Sequence, residues 1–121
     1  MAGNLRVPSL IQGRIVFPIE PVPDPQRRNP KPNRPFVVVS SNETIKAGGP
    51  IDLIGITSEN YPDQADNQVE LTTGPQTRTK LKEPWSAALC TWRISLRPDQ
   101  FRISEGFVIP KTMFQILKKL K

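Results

Sequence analysis

At 121 residues the chain has the size of one domain, and 36% hydrophobic residues is enough for one small core. Histidine is absent and Cys90 is the single cysteine, which excludes a structural zinc site, a disulfide framework and any mechanism that uses imidazole as acid or base. The 17 Lys and Arg against 11 Asp and Glu leave a net charge of +6, a balance that suits a polyanionic partner, although small basic proteins exist that bind nothing in particular.

Proline is the compositional anomaly: 14 residues, against a usual share of about 5%, with seven of them between Pro18 and Pro35. The first predicted strand, residues 13–19 (GRIVFPI), carries Ile15 and Phe17 on one face, and Pro18 stops regular pairing because it has no N–H to donate. Residues 20–33 (EPVPDPQRRNPKPN) have no stretch that could bury a face and read as a long, solvent-facing basic loop stiffened by proline. Residues 36–40 (FVVVS) give the strongest strand signal, and 41–48 a short helical turn ended by glycine. Residues 51–57 (IDLIGIT) form the next strand, with Ile51, Leu53, Gly55 and Thr57 on one face and Asp52, Ile54 and Ile56 on the other. Gly55 in mid-strand suggests a bulge or the close approach of another backbone.

Downstream, residues 59–67 read as a polar loop, 69–73 as a half-exposed strand and 74–84 as a basic, turn-rich loop. Residues 86–94 form a further strand, extendable to Leu96, and 101–103 a short irregular or paired piece. The helix predicted over 110–120 starts at Pro110, repeats Met113, Ile116, Leu117 and Leu120 at three- and four-residue spacing, and ends in lysines that its dipole favours. The expected fold is mainly β: a small SH3-like barrel of about five to seven strands with a C-terminal α-helix, occupying residues 1–121 as a single domain. No apolar run approaches the ~18 residues of a membrane span and the start lacks a secretory h-region, so the expected setting is the cytoplasm, with no membrane partner. Cys90 sits in an apolar neighbourhood that predicts a buried, inert thiol.

Three places could carry chemistry. Arg34 stands where the basic loop enters the central strand; Pro35 restricts it to extended backbone, and its planar, permanent charge suits bidentate contact with phosphate. Thr57 and Ser58 end an apolar strand, where a hydroxyl can hydrogen-bond a phosphate or a 2′-OH or else satisfy local backbone. Trp85, Trp92 and Tyr61 could stack bases or serve the core. Basic charge gathers at Arg27, Arg28, Lys31 and Arg34 and again at Arg78, Lys80 and Lys82, whereas Glu59, Asp63, Asp66 and Glu70 have no basic residue among them. No phosphate-cradling glycine loop and no carboxylate cluster at metal-ligand spacing is present, so phosphoryl chemistry would run on Arg, Thr or Ser and a carboxylate, with no metal or cofactor.

The order and spacing of GRIV (13–16), a long loop, RPFVVVSSN (34–42), IDLIGITS (51–58) and VEL (69–71) resembles the MazF/PemK/Kid toxins of bacterial type II toxin–antitoxin systems. The resemblance covers about residues 12–73; beyond them only the plan, a strand followed by a helix, is similar. It implies a homodimeric SH3-like barrel that cleaves single-stranded RNA without metal, leaves a 2′,3′-cyclic phosphate and is neutralised by a cognate acidic antitoxin protein. It places Arg34 and Thr57 at the scissile phosphate, Arg34 to stabilise the phosphorane and donate a proton, Thr57 to orient the phosphate. Arg27, Arg28, Lys31, Ser58, Arg78, Lys80, Lys82 and Arg93 are the candidate RNA contacts.

The chain departs from the family pattern at the Glu-Gln that many members carry shortly before Arg-Pro: the corresponding residues are Asn29 and Pro30, with Asp24 or Gln26 as substitutes if the loop folds back. Kid-type members add an Arg and an Asp on a later strand; Arg93 is the possible equivalent of the Arg, with no Asp beside it in the sequence. The alternative function is a catalytically degenerate barrel that binds nucleic acid or an acidic protein segment, and a third is that the proline-rich loop is itself a ligand for an aromatic groove.

Overall fold

Alternating and β-branched residues build six strands: β1 (Arg14–Pro18), β2 (Phe36–Val38), β3 (Ile51–Thr57), β4 (Gln68–Leu71), β5 (Ser86–Leu96) and β6 (Phe101–Phe107), with helices α1 (Asn42–Ala47) and α2 (Pro110–Lys119). The computed structural model describes residues 8–23, 25 and 33–120. The strands form one sheet in the order β4-β5-β3-β2-β1-β6, every neighbouring pair antiparallel. Most of the proline-rich segment 20–33, with its Arg27, Arg28 and Lys31, lies outside the described residues.

The sheet is apolar on both faces because β3 is. Ile51 and Leu53 pack with Val16, Phe36, Val38, Leu89, Trp92 and Phe101 on one side. Ile54 and Ile56 pack on the other with Ile15, Val37, Val69, Leu71, Leu81, Ala88 and the helix residues Met113 and Ile116. This is the division of faces that the period-2 reading of residues 51–57 predicts. Gly55 does meet a close neighbour, but it is a side chain: a Cβ there would stand 2.0 Å from Cε3 of Trp92. The β3–β5 register also shifts between Ile54 and Gly55, and the bulge lets Trp92 lie over the gap and meet Phe36 edge-on at 4.9 Å between ring centroids.

The sheet curls toward closure through the segment after β4. Phe107 N–H donates to the carbonyl of Arg78 at 3.0 Å, and Gly74 N–H to that of Leu81 at 2.7 Å, so this segment bridges from the β4 edge to β6. Gly106 is required at that junction, since a Cβ would stand 2.2 Å from the carbonyl oxygen of Thr79. The result is the expected small, mainly β, barrel-like fold.

Both helices carry the predicted end signals. Ser41 caps α1 by accepting from Thr44 N–H at 3.1 Å, and Gly48 closes it with φ of 85°. Pro110 opens α2, and Lys118 and Lys119 fill its last turn, Lys119 Nζ donating to the Asp66 carbonyl at 2.7 Å.

Two segments differ from the sequence reading. Residues 101–103 extend into a seven-residue strand, β6, because pairing with β1 carries it through the exposed Glu105 and through Gly106, neither of which favours a strand by itself. Within the polar 59–67 segment, residues Pro62–Asn67 wind into 3₁₀ turns with a kink at Gln64.

Candidate functional site

The β2–β3 pairing decides what stands next to Arg34. Phe36 faces Gly55, and Ile56 N–H donates to the Pro35 carbonyl at 3.0 Å, so the chain at residues 34–35 runs beside the end of β3, where Thr57 lies. Pro35 keeps this entry extended, as its ring requires of the residue before it. Arg34 is half-buried, and its guanidinium carbon lies 5.8 Å from the Trp92 ring centroid, cation–π geometry that holds the charge against the ring.

Beside it opens a groove of about 700 Å³. One wall is made of Asn33, Arg34 and Pro35 with Ile56, Ser58 and Glu59; the facing wall is residues 79–83; Ile15, Phe17 and the β6 residues Arg102, Ser104, Glu105 and Gly106 complete it. Arg34, Lys80, Lys82 and Arg102 thus border one cleft together with Glu59, Glu83 and Glu105, with the Arg34 guanidinium itself over the Trp92 ring. Lysine and arginine lining one groove can grip a phosphodiester backbone, and the exposed Ser58 hydroxyl adds a neutral donor, whereas the Ser104 hydroxyl already donates to the Ile15 carbonyl at 2.6 Å.

The facing wall is fastened by threonines. Thr79 is 5% exposed and its hydroxyl donates to the Thr72 carbonyl, while Thr77 donates to Gly74 O at 2.7 Å and accepts from Lys80 N–H at 3.3 Å. Lys80 itself sits at φ of 56°, a left-handed conformation uncommon for a side-chain-bearing residue. On the third side, Arg102 lies 5.9 Å from the centre of the Phe17 ring, its cross-strand partner.

Thr57 occupies a different position from the open wall. It is 1% exposed, and its hydroxyl both donates to the Glu59 carbonyl at 3.1 Å and accepts from Glu59 N–H at 3.0 Å. It thereby folds the chain so that Ser58 and Glu59, both exposed, reach the groove. Arg78 is exposed and stacks on Phe107 at 6.0 Å, outside the residues that line the cleft. Arg93 lies toward the opposite end of β3, 3.1 Å from Asp52. There a hydrogen bond from Ser95, opposed by partial burial, and the Arg93 guanidinium together hold the Asp52 carboxyl below its ordinary range.

Trp92 and Tyr61 are each 6% exposed and belong to the core; Trp85 is half-buried. Burial pushes the Cys90 thiol up, with Lys119 acting weakly against it, as suits an unreactive core cysteine. Among the described residues no three His, Cys, Asp or Glu side chains gather where they could hold a metal, and no helix is long and apolar enough to cross a membrane. The sequence reading did not single out Arg102 or Glu59 for the site. Arg102 was legible as the exposed position of the alternating Phe101-Arg102-Ile103, whereas Glu59 has no local signal beyond following the strand end.

No protein-family model and no curated protein matches the chain. Solved structures do. A MazF structure from Deinococcus radiodurans (form I) is similar at a TM-score of 0.60 and 19% identity, over 95% of this chain and 94% of that one. A MazE–MazF structure from the same organism (form III) is similar at a TM-score of 0.59 and 18% identity, over 95% and 93%. A second MazE–MazF structure (form II) gives 0.57 and 18%, over 95% and 92%. The fold is therefore that of MazF.

Proposed function

We propose that this protein is a MazF-type toxin: a metal-independent endoribonuclease that cleaves single-stranded RNA, works as a homodimer and is held inactive by an acidic antitoxin. The observation that carries the reading is Arg34, set beside the end of β3 on the wall of a groove of mixed charge in a chain with the MazF fold. The MazE–MazF structures support a protein partner of the antitoxin kind.

In this mechanism the RNA backbone enters between the Arg34 wall and Lys80 and Lys82, with Arg102 below. The 2′-oxygen attacks the neighbouring phosphorus, and the guanidinium of Arg34 neutralises the charge that grows on the phosphorane oxygens. Arg34 is suited to this because its charge is permanent and Trp92 limits its motion, so little reorganisation is left for the moment of reaction. It also donates a proton to the leaving 5′-oxygen and regains one from water. Thr57 is a positioning residue: it orients the phosphate through the turn that its hydroxyl fixes, which presents Ser58. Arg27, Arg28 and Lys31, which lie outside the described residues, are further candidate RNA contacts by charge alone, and the exposed Arg78 is another.

The test is incubation of the purified protein with a long mixed-sequence transcript in the presence of EDTA, with cyclic-phosphate ends mapped. Wild type should cut at defined sites and Arg34→Ala should leave the RNA intact while keeping the wild-type fold. A second reading, a barrel that binds RNA or an acidic segment without cutting it, is favoured by the engagement of the Thr57 hydroxyl with Glu59 backbone. Its signature is salt-sensitive RNA binding with no new ends.

A further inference from the structure

The reaction above needs a base for the 2′-hydroxyl proton, and positions 29 and 30, Asn and Pro, cannot supply one. We infer that Glu59 is that general base; the inference rests on the endoribonuclease reading and adds a residue to it. Among the described residues three carboxylates line the groove, Glu59, Glu83 and Glu105, and their placement separates them. Of these, Glu59 alone belongs to the wall that holds Arg34, two residues past Thr57, where the Ile56–Pro35 hydrogen bond ties the two chain segments together. Its backbone is also anchored at both polar atoms, N–H and C=O each bonded to the Thr57 hydroxyl, so the root of the side chain is fixed while the residue stays exposed to the groove. Glu83 stands on the facing wall, and Glu105 lies on β6, with its carbonyl held by Arg14 Nη1 at 3.1 Å.

A base must reach the nucleophile while the charge-stabilising group reaches the phosphate, and Glu59 and Arg34 are the carboxylate and guanidinium that one wall supplies together. The step balances without a co-reactant. Glu59 takes the 2′-hydroxyl proton, the 2′-oxygen–phosphorus bond forms as the phosphorus–5′-oxygen bond breaks, and the 5′-oxygen leaves with a proton from Arg34. Thr57 then has a defined task, because the hydroxyl that folds the turn also sets where the base stands.

Single-turnover cleavage of a long mixed-sequence transcript by the full-length protein, measured across pH alongside RNA affinity, tests this. Glu59→Gln should slow cleavage about 100-fold or more, within the range general bases contribute, bind RNA at least as well as wild type, and lose the acid-side fall in rate that protonating a base imposes. Glu59→Asp should recover part of the rate and keep that fall, and Glu83→Gln and Glu105→Gln should keep it too. A Glu59→Gln protein that cuts within threefold of wild type with its acid-side fall intact overturns the assignment, as does a loss explained wholly by weaker binding. If wild type itself leaves no cyclic-phosphate ends, the endoribonuclease reading fails and the assignment with it; if wild type cuts and only the Glu59 outcomes fail, that reading stands.

Discussion

The two ends of β3 carry the same kinds of side chain and do different things with them. At the Asp52 end, Arg93 meets the carboxylate at 3.1 Å and Ser95 donates to its other oxygen, so arginine, acid and hydroxyl satisfy one another on an exposed surface. At the Thr57 end, Arg34 lies over Trp92, the threonine hydroxyl folds the turn, and Ser58 and Glu59 open onto a groove shared with Lys80, Lys82 and Arg102. A strand of seven residues separates an exposed ion pair from a half-buried arginine that lies over an aromatic ring at the groove wall. The residue types are alike; what differs is the wall built opposite each end.

The sharpest way to break this contrast is to exchange arginines for alanine at the two ends. Arg34→Ala should lower RNA cleavage by about 10²–10³-fold or more, the range seen when one charge-stabilising donor is removed, while the protein keeps its wild-type fold. Arg93→Ala should cost at most a few-fold in the same assay, because it pairs with Asp52 outside the residues that line the groove. Equal losses at both positions would erase the distinction.

Trp92→Ala tests the support beneath Arg34. Removing a core aromatic costs about 3–5 kcal/mol, so the variant should unfold at markedly lower denaturant concentration, and cleavage by the fraction still folded should fall as well. Thr57→Val exchanges the buried hydroxyl for a methyl group and strands the Glu59 N–H it served, at a cost of about 1–3 kcal/mol; Thr57→Ser should keep most of both stability and activity. Lys80→Ala and Lys82→Ala should each leave the fold intact and reduce the slope of log affinity against log salt by about 0.7, the share of one phosphate contact on single-stranded RNA.

The smallest effect belongs to the closed end. The Asp52 carboxyl titrates below its ordinary range in the folded protein, so its contribution to stability is present above the unfolded carboxylate pKa and is lost as pH falls through the lowered folded value. Asp52→Asn should therefore narrow the stability difference between neutral and strongly acidic solution slightly, as expected of a pair whose side chains are 52% and 38% exposed.

Much of the architecture was legible residue by residue. Alternation in residues 51–57 assigned β3 to both faces of the sheet, Ser41 and Gly48 bounded a short helix, and Pro110 with the 113/116/117/120 spacing marked α2. Arg34 stands out in the sequence because Arg-Pro entering an apolar strand is a local pattern, and the structure places it on the groove wall. The full length of β6 was not, since its strand state through Glu105 and Gly106 comes from pairing with β1 rather than from propensity.

Local chemistry alone thus determined the strands, the helix ends, the positive charge and the exclusion of imidazole chemistry, because these follow from side-chain shape, period and ionisation. Tertiary structure decided which charges meet. Arg93 sits on Asp52 through β3–β5 register, and Glu59, unremarkable in sequence, shares a wall with Arg34 because β2 and β3 are hydrogen-bonded there. Pairing between distant segments sets those neighbours, and no window of local sequence contains both partners.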